Sequence, residues 1–355
     1  MSRRKRLKIT SSRLKILQKK LPTDACLIEQ PIDLYYLTGL NLSAGRLLFT
    51  KSDAELFVDG RYIQVAEQKS PFKVSLDNPE SISAFCTKRR VKSLGFDGRN
   101  TSYERFERLK QQLKKMKLQP CSDFLASMRV IKDPSEVKKM QKSAELLWKG
   151  FQFLRKSLKV GVTEKELAKQ FEIFCLERGA ERLAFDPIIA FGPNSAMPHY
   201  RAQDAKLKSG DIVLIDIGVV VDRYHSDMTR VLFYKREDPV LRRLYDIVRR
   251  AQKSALSLCR PGTTLKELDL AARKVMREEN VEELYLHSLG HGIGLETHEF
   301  PRIKCNGDDK DVTLKSGMVF TVEPGLYIAG KGGVRYEDTI LITPTGHTNF
   351  YPKEV

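Results

Sequence analysis

Hydrophobic and polar positions change their period several times along this chain. Between residue 22 and about residue 125, short apolar runs (ACLIEQ, GRLLFTK, AELFVDG, FKVSL, SLGFDG) alternate with amphipathic stretches. Short runs rich in Leu, Val and Phe read as strands, and GRLLFTKSDAELFV reads as a hairpin over Ser52 and Asp53. YERFERLKQQLKKMK, with apolar residues at helical spacing among charges, predicts an exposed helix. This region has the pattern of a small α/β domain.

At IKDPSEVKKMQKSAELLWKGFQFLRKSLKVG the period becomes that of a long amphipathic helix. Its start is well specified: Asp133 as N-cap, Pro134 in the first helical position, and Glu136 closing a capping box. The chain therefore divides into residues 1–127 and 128–355.

Beyond that boundary the pattern repeats. GVTEKELAKQFEIFCLERG (161–179) and GTTLKELDLAARKVMREEN (262–280) each run glycine, threonine cap, T-x-x-E box, amphipathic helix, stop. A longer helix precedes each copy, and a strand headed by LKSG follows: LKSGDIVLIDIG (207–218) and LKSGMVFTVEPG (314–325). Two helix-helix-sheet halves related by an approximate twofold are expected.

Both LKSG strands are too apolar to face water, yet each carries an acid at the same place, Asp216 and Glu323. The segments that return from them, VVDRYHSDMTRVLF through Asp222 and Arg223, and GGVRYEDTILIT after AGKGG, add Asp227 and Glu337. Four carboxylates converging on one centre repel, so raised pKa values, arginines or divalent cations must compensate. Arg230 and Arg335 lie close by in sequence, which leaves a buried salt-bridge network open. His291, among the glycines of SLGHGIGLETHEF, tilts the balance, because an arginine network has no use for an imidazole. A mixed oxygen and nitrogen set suits Mn, Co, Fe or Zn. Four acids and a histidine are enough for two ions sharing carboxylates, an arrangement that activates water. Five of the six histidines fall in or beside these motifs: His199, His225, His287, His291 and His298. His225 and His347 read as structural, whereas His199, His287 and His298 suit proton transfer or support beside a metal.

Composition narrows the class without naming a substrate. At 355 residues, 41% hydrophobic and 30% charged, the chain can bury a full core in each of two domains. No apolar run approaches the roughly 20 residues that span a bilayer, and the N-terminus lacks the apolar core of a signal peptide, so a cytosolic protein without membrane partners is expected. The six cysteines are scattered, with no C-x-x-C, and read as reduced and mostly buried. Nine Lys or Arg and no acid in the first 20 residues supply more than half of the net charge of +17. With no nucleic-acid motif beside them, they read as a solvated basic helix.

The set LIDIG, SDMTR, GHGIG with THE following, TVEPG and GVRYED resembles the pita-bread metallopeptidases, the family of methionine aminopeptidase, aminopeptidase P and prolidase. DLYYLTGLNLSAGRLLFTKSDAELFVDGRY is similar to the creatinase/prolidase accessory domain, so the resemblance spans nearly the whole chain. It implies an α/β (α+β) fold, with a small N-terminal domain followed by a pseudo-twofold catalytic domain. It implies two divalent ions per subunit, Mn first and Co, Zn or Fe as alternatives, on Asp216, Asp227, His291, Glu323 and Glu337, with Asp227 and Glu337 bridging. Glu323 would also move protons, His298 would stabilise the tetrahedral oxygen, and His199 would carry a proton or bind substrate. His287 and Arg335 would contact the substrate, Arg335 alternatively orienting ligand carboxylates. The accessory domain, Arg335 and the spacing in HSLGH point to the proline-specific branch. The expected activity is an Xaa-Pro aminopeptidase acting on peptides with proline second, in a homodimer. The alternative is an Xaa-Pro dipeptidase; methionine aminopeptidase-like activity or a non-catalytic binding protein on the same fold ranks lower.

Overall fold

The computed structural model describes residues 3–352, without the side chains of residues 3–11 and 123. The chain divides into two compact units, 1–129 and 130–355. An N-terminal helix, Arg3–Lys20, carries the basic cluster; how its residues before Ser12 meet solvent lies outside the described side chains. No helix among the described residues is long and apolar enough to cross a membrane.

The first unit is built on a six-stranded mixed sheet in the order Lys73–Leu76, Ala54–Val58, Arg46–Thr50, Ala25–Ile28, Ser93–Phe96, Lys117–Pro120. The hairpin over Ser52 and Asp53 forms, with Thr50 Oγ1 accepting from both backbone N–H groups of that turn. Leu27, Leu48, Ile82, Phe85 and Leu94 fill its core. The helix expected over YERFERLKQQLKKMK stops at Gln112, and Lys117–Pro120 is instead an edge strand parallel to Ser93–Phe96. Charged residues suit an edge, where one side of the strand faces water.

The second unit contains the repeat. Helices Pro134–Ser157 and Glu164–Glu177 pack with the sheet Met228–Phe233, Ile212–Ile217, Ile188–Phe191; helices Pro239–Leu256 and Leu265–Glu278 pack with Asp338–Ile342, Val319–Val322, Gly290–Gly292. All three expected capping boxes are present, at Asp133, Thr163 and Thr264. Leu147, Phe151, Leu167 and Phe171 anchor the first half; Leu244, Val248, Leu268 and Phe320 anchor the second. Each such fully buried side chain contributes about 1.5–3 kcal/mol.

The halves are joined to their LKSG turns by matching backbone bonds. Gly161 N–H donates to Leu207 at 2.9 Å and Gly262 N–H to Leu314 at 3.0 Å; Leu207 donates back to Val162 and Leu314 to Thr263. Gly210 and Gly317 adopt φ of +95° and +90°, a conformation that favours glycine and explains the last letter of LKSG in both copies. The turn at Asp222 and Arg223 likewise takes positive φ, 51° and 72°.

Candidate metal centre and substrate pocket

Strand positions bring the four acids together, by two different registers. Asp216 and Glu323 each lie six residues beyond the LKSG glycine. Asp216 is inside a strand and pairs with Thr229, whereas Glu323 falls just past Val319–Val322. Val322 pairs with Asp338, so continuing that register sets Glu337 opposite Glu323. Asp227 and Glu337 occupy breaks, Asp227 between Tyr224–His225 and Met228–Phe233, Glu337 between Gly332–Arg335 and Asp338–Ile342. The halves meet here: Glu337 N–H donates to the Thr229 carbonyl at 3.2 Å.

His291 enters from the neighbouring strand Gly290–Gly292. Glycine on both sides is required, since a Cβ at Gly290 would lie 2.0 Å from the Thr321 carbonyl oxygen and one at Gly292 2.4 Å from that of Phe300. His291 Nδ1 is 3.1 Å from the Gly292 carbonyl, so it carries the proton and donates. Nε2 is left as a bare lone pair facing Glu323 Oε1 at 3.4 Å and Asp227 Oδ2 at 3.7 Å. Burial, then neighbouring His298, pulls its pKa down to about 3, so the ring is neutral at pH 7.

The carboxylates are strained electrostatically. Burial and then mutual repulsion raise Asp227 and Glu337 well above the ordinary carboxylate range, and burial pushes Glu323 up to about 8. Asp216 Oδ1, Asp227 Oδ1 and Glu337 Oε1 are buried with no hydrogen-bond partner among the described residues. Ligand atoms of Asp227, His291 and Glu337 lie within 4.8 Å of one another. Orphaned buried oxygens, a bare imidazole nitrogen and an N–H tied to a backbone carbonyl are what a divalent cation requires. The residues fit such ions.

A supporting layer fixes the acids in place. Arg335, buried, donates through Nη2 to Asp216 Oδ2, through Nε to Thr229 Oγ1 at 3.1 Å and through Nη1 to Tyr327 Oη at 2.7 Å. Thr229 Oγ1 donates to Glu337 Oε2 at 2.8 Å, and Thr321 Oγ1 to Glu323 Oε1 at 3.2 Å. His287, half-buried, has Nδ1 2.8 Å from the Ser288 carbonyl and Nε2 2.9 Å from Tyr327 Oη. Burial and then Arg335 lower its pKa to about 4, so it is neutral and accepts from the tyrosine.

All nine residues singled out in the sequence line one cavity of about 620 Å³. Of the candidate ligands Asp216, Asp227 and Glu337 are buried and His291 and Glu323 half-buried, and Arg335, also buried, is bonded to Asp216. His287 stands on the wall, while His199 and His298 are exposed nearer the opening. The His298 ring is 4.3 Å from that of His291, and desolvation followed by His199 lowers its pKa. Two exposed arginines, Arg201 and Arg302, complete the wall, Arg201 paired with Asp186 at 3.2 Å. His225 is buried against Gly294 and Arg182, in keeping with a structural role. Thr229, Thr321 and Tyr327 escaped the sequence reading. Thr229 had a signal, since it follows Asp227 by two residues in a run whose pattern reads as one strand, which would set both on one face; Tyr327 had none.

Residues 138–344 match the model of metallopeptidase family M24, and residues 12–131 that of the creatinase/prolidase N-terminal domain. An Xaa-Pro dipeptidase from Pyrococcus furiosus is 36% identical over 324 residues, 91% of this chain and 92% of its own. Among solved structures, a prolidase from Pyrococcus furiosus superimposes with a TM-score of 0.87 at 34% identity, covering 96% of this chain and 99% of that one. An X-Pro aminopeptidase from Thermotoga maritima gives 0.86 at 31% identity, covering 96% and 99%. The pocket of acids, histidine and arginine is thus carried by a member of metallopeptidase family M24 with a creatinase/prolidase N-terminal domain, and the fold is that of the pita-bread peptidases.

Proposed function

We propose that this chain is an Xaa-Pro dipeptidase, a reading that moves the expected aminopeptidase to second place. The observation that carries it is an exposed arginine, Arg302, lining the same pocket as the buried acid cluster. A dipeptidase must hold the free carboxylate of a C-terminal proline, and an exposed guanidinium in the pocket supplies a charge-assisted partner. The dipeptidase relative, matched over nine-tenths of both chains, supports the same choice. The aminopeptidase neighbour from Thermotoga maritima favours the second reading.

Asp216, Asp227, His291, Glu323 and Glu337 would hold divalent cations, Mn being the first to test. Such ions supply Lewis acidity toward a peptide carbonyl and toward water. Around them the protein's own groups do the rest. Glu323 would take and return a proton besides holding a cation. His298, a neutral imidazole, offers one N–H to the oxygen that gains charge on the scissile carbon. His199, at the opening, hands on a proton or contacts the substrate. Arg335 fixes the rotamer of Asp216, and His287 forms a neutral wall beside it. Proline, with φ fixed and no N–H, presents a shape that such a wall can demand.

The test compares an Xaa-Pro dipeptide with the matching Xaa-Pro-Xaa tripeptide on Mn-reconstituted protein. The dipeptide should be favoured at least about tenfold in kcat/KM, and Arg302→Gln should erase most of that preference, the loss of a charged hydrogen bond being worth roughly 1.5–3 kcal/mol. Cleavage of the tripeptide as fast as the dipeptide would install the aminopeptidase reading. Glu323→Gln should retain the fold and lose most turnover; activity surviving both that change and chelation would overturn the two-metal account.

A further inference from the structure

His199 is exposed at the pocket between half-buried Pro198 and Tyr200, and no hydrogen bond of its ring is formed among the described residues. Its placement therefore depends on whatever holds the backbone on either side. That holder is Glu164, a carboxylate with no solvent exposure in the first turn of helix Glu164–Glu177. Its Oε1 accepts from Phe191 N–H at 2.8 Å and Asn194 Nδ2 at 2.9 Å; its Oε2 accepts from Tyr200 Oη at 2.7 Å and Gln203 N–H at 3.0 Å. The four donors bracket residues 191–203, and Tyr200 is the immediate neighbour of His199. Asn194 Nδ2 also reaches Tyr200 Oη at 2.9 Å, cross-linking the loop within itself.

Glu164 is not needed to start its helix. The capping box there is closed by Glu166, whose carboxylate accepts from Thr163 N–H at 2.8 Å. The repeat supplies an internal control. Thr163 and Thr264 are equivalent caps, so the residue matching Glu164 is Leu265, one position after the second cap and likewise fully buried. The same scaffold position is filled by hydrocarbon in the half whose loop has no His199. A buried charge there is costly unless fully bonded, and retaining it without a scaffold need points to a role in the loop.

We propose that Glu164 is the positioning residue of His199, fixing the imidazole over the pocket through Tyr200, Asn194 and the backbone of Phe191 and Gln203. The proposal rests on the role given to His199 above. Its test is a double-mutant cycle on an Xaa-Pro dipeptide with Glu164→Gln, His199→Ala and the pair, together with Tyr200→Phe as a milder lesion that removes one of the four bonds. Glu164→Gln should lower kcat by roughly 100-fold, the scale of a misplacement near 1 Å, with metal content unchanged, and Tyr200→Phe by a smaller factor in the same direction. In the His199→Ala background both changes should lose most of their effect. The substrate-independent arm is the imidazole 15N resonance of His199, assigned by its disappearance in His199→Ala, which should shift or broaden in Tyr200→Phe. If the losses multiply in full, or if that resonance is unmoved, Glu164 serves only the fold and the proposal is wrong. A shifted resonance with no change in dipeptide turnover would instead overturn the catalytic role of His199.

Discussion

The two halves of residues 130–355 share their scaffold down to single backbone hydrogen bonds and differ wherever chemistry is done. Glu164 and Leu265 donate their N–H groups to Ala205 and Val312 in the same way, at 3.2 and 3.0 Å, although one side chain is a bonded carboxylate and the other is core. Phe191 pairs with Val213, three residues past its LKSG glycine, and Gly292 with Phe320, three past the other; one step back sets Ala190 where the second half has His291. The second sheet also gains an outer strand, Glu299–Ile303, which bears Arg302 and follows directly on His298. Duplication thus yields a frame in which two acids from each half converge, and substitutions in one half or the other turn that frame into a site.

The strongest way to break this asymmetry is His291→Ala, which makes the second half match the first at Ala190. The neighbouring glycines and the strand register do not depend on the imidazole, so the fold should persist. Metal affinity, read by calorimetry with Mn, should fall by more than about 100-fold, since even residues that merely support a ligand cost 10–100-fold. Hydrolysis should fall with it. Unchanged affinity would show that His291 is not a ligand.

A second measurement probes what the converging acids cost when no cation is bound. Burial and repulsion raise the pKa values of Asp227, Glu323 and Glu337 in the folded protein, Glu323 to about 8 from an ordinary 4.5. The folded state therefore holds protons that the unfolded chain has already lost, and stability falls as pH rises from about 5 through 8. In chelated protein the melting temperature should decline over that window, by the equivalent of about 2–4 kcal/mol. Asp227→Asn should flatten the decline, and added Mn should reverse it because cations compete with protons for these oxygens. A melting temperature independent of pH would mean that the acids are already satisfied without metal.

What could be read from the sequence follows the range of the forces involved. The boxes at Asp133, Thr163 and Thr264 are local, three residues long, and were legible together with the pairing of acids to LKSG strands. In TEKE the T-x-x-E spacing already assigns the box to Glu166; what it does not carry is that Glu164 turns inward to a loop up to 39 residues away in sequence. The differing registers that place Glu337 opposite Glu323, but Asp216 opposite Thr229, are likewise set by long-range pairing and leave no local trace. Arg335 entered the site through the family resemblance, with orienting a ligand carboxylate as one expected role; that this carboxylate is Asp216, 119 residues away, could come only from the fold.

The smallest effect tests the shared scaffold itself. Thr163 Oγ1 accepts from Glu166 N–H at 3.1 Å and Thr264 Oγ1 from Glu267 N–H at 3.2 Å, and each glutamate bonds back to its threonine N–H. Loss of one N-cap side chain costs about 1 kcal/mol, so Thr163→Ala and Thr264→Ala should lower the melting temperature by similar amounts. Dipeptide turnover at a temperature where both variants are folded should match the wild type. Thr264 has one further bond, its hydroxyl to Glu267 Oε2 at 2.7 Å, so any excess loss belongs on that side. A larger loss at Thr163, especially one that also lowers turnover, would show that its cap supports Glu164 and the His199 loop, and that the halves differ even in the element that looks most alike.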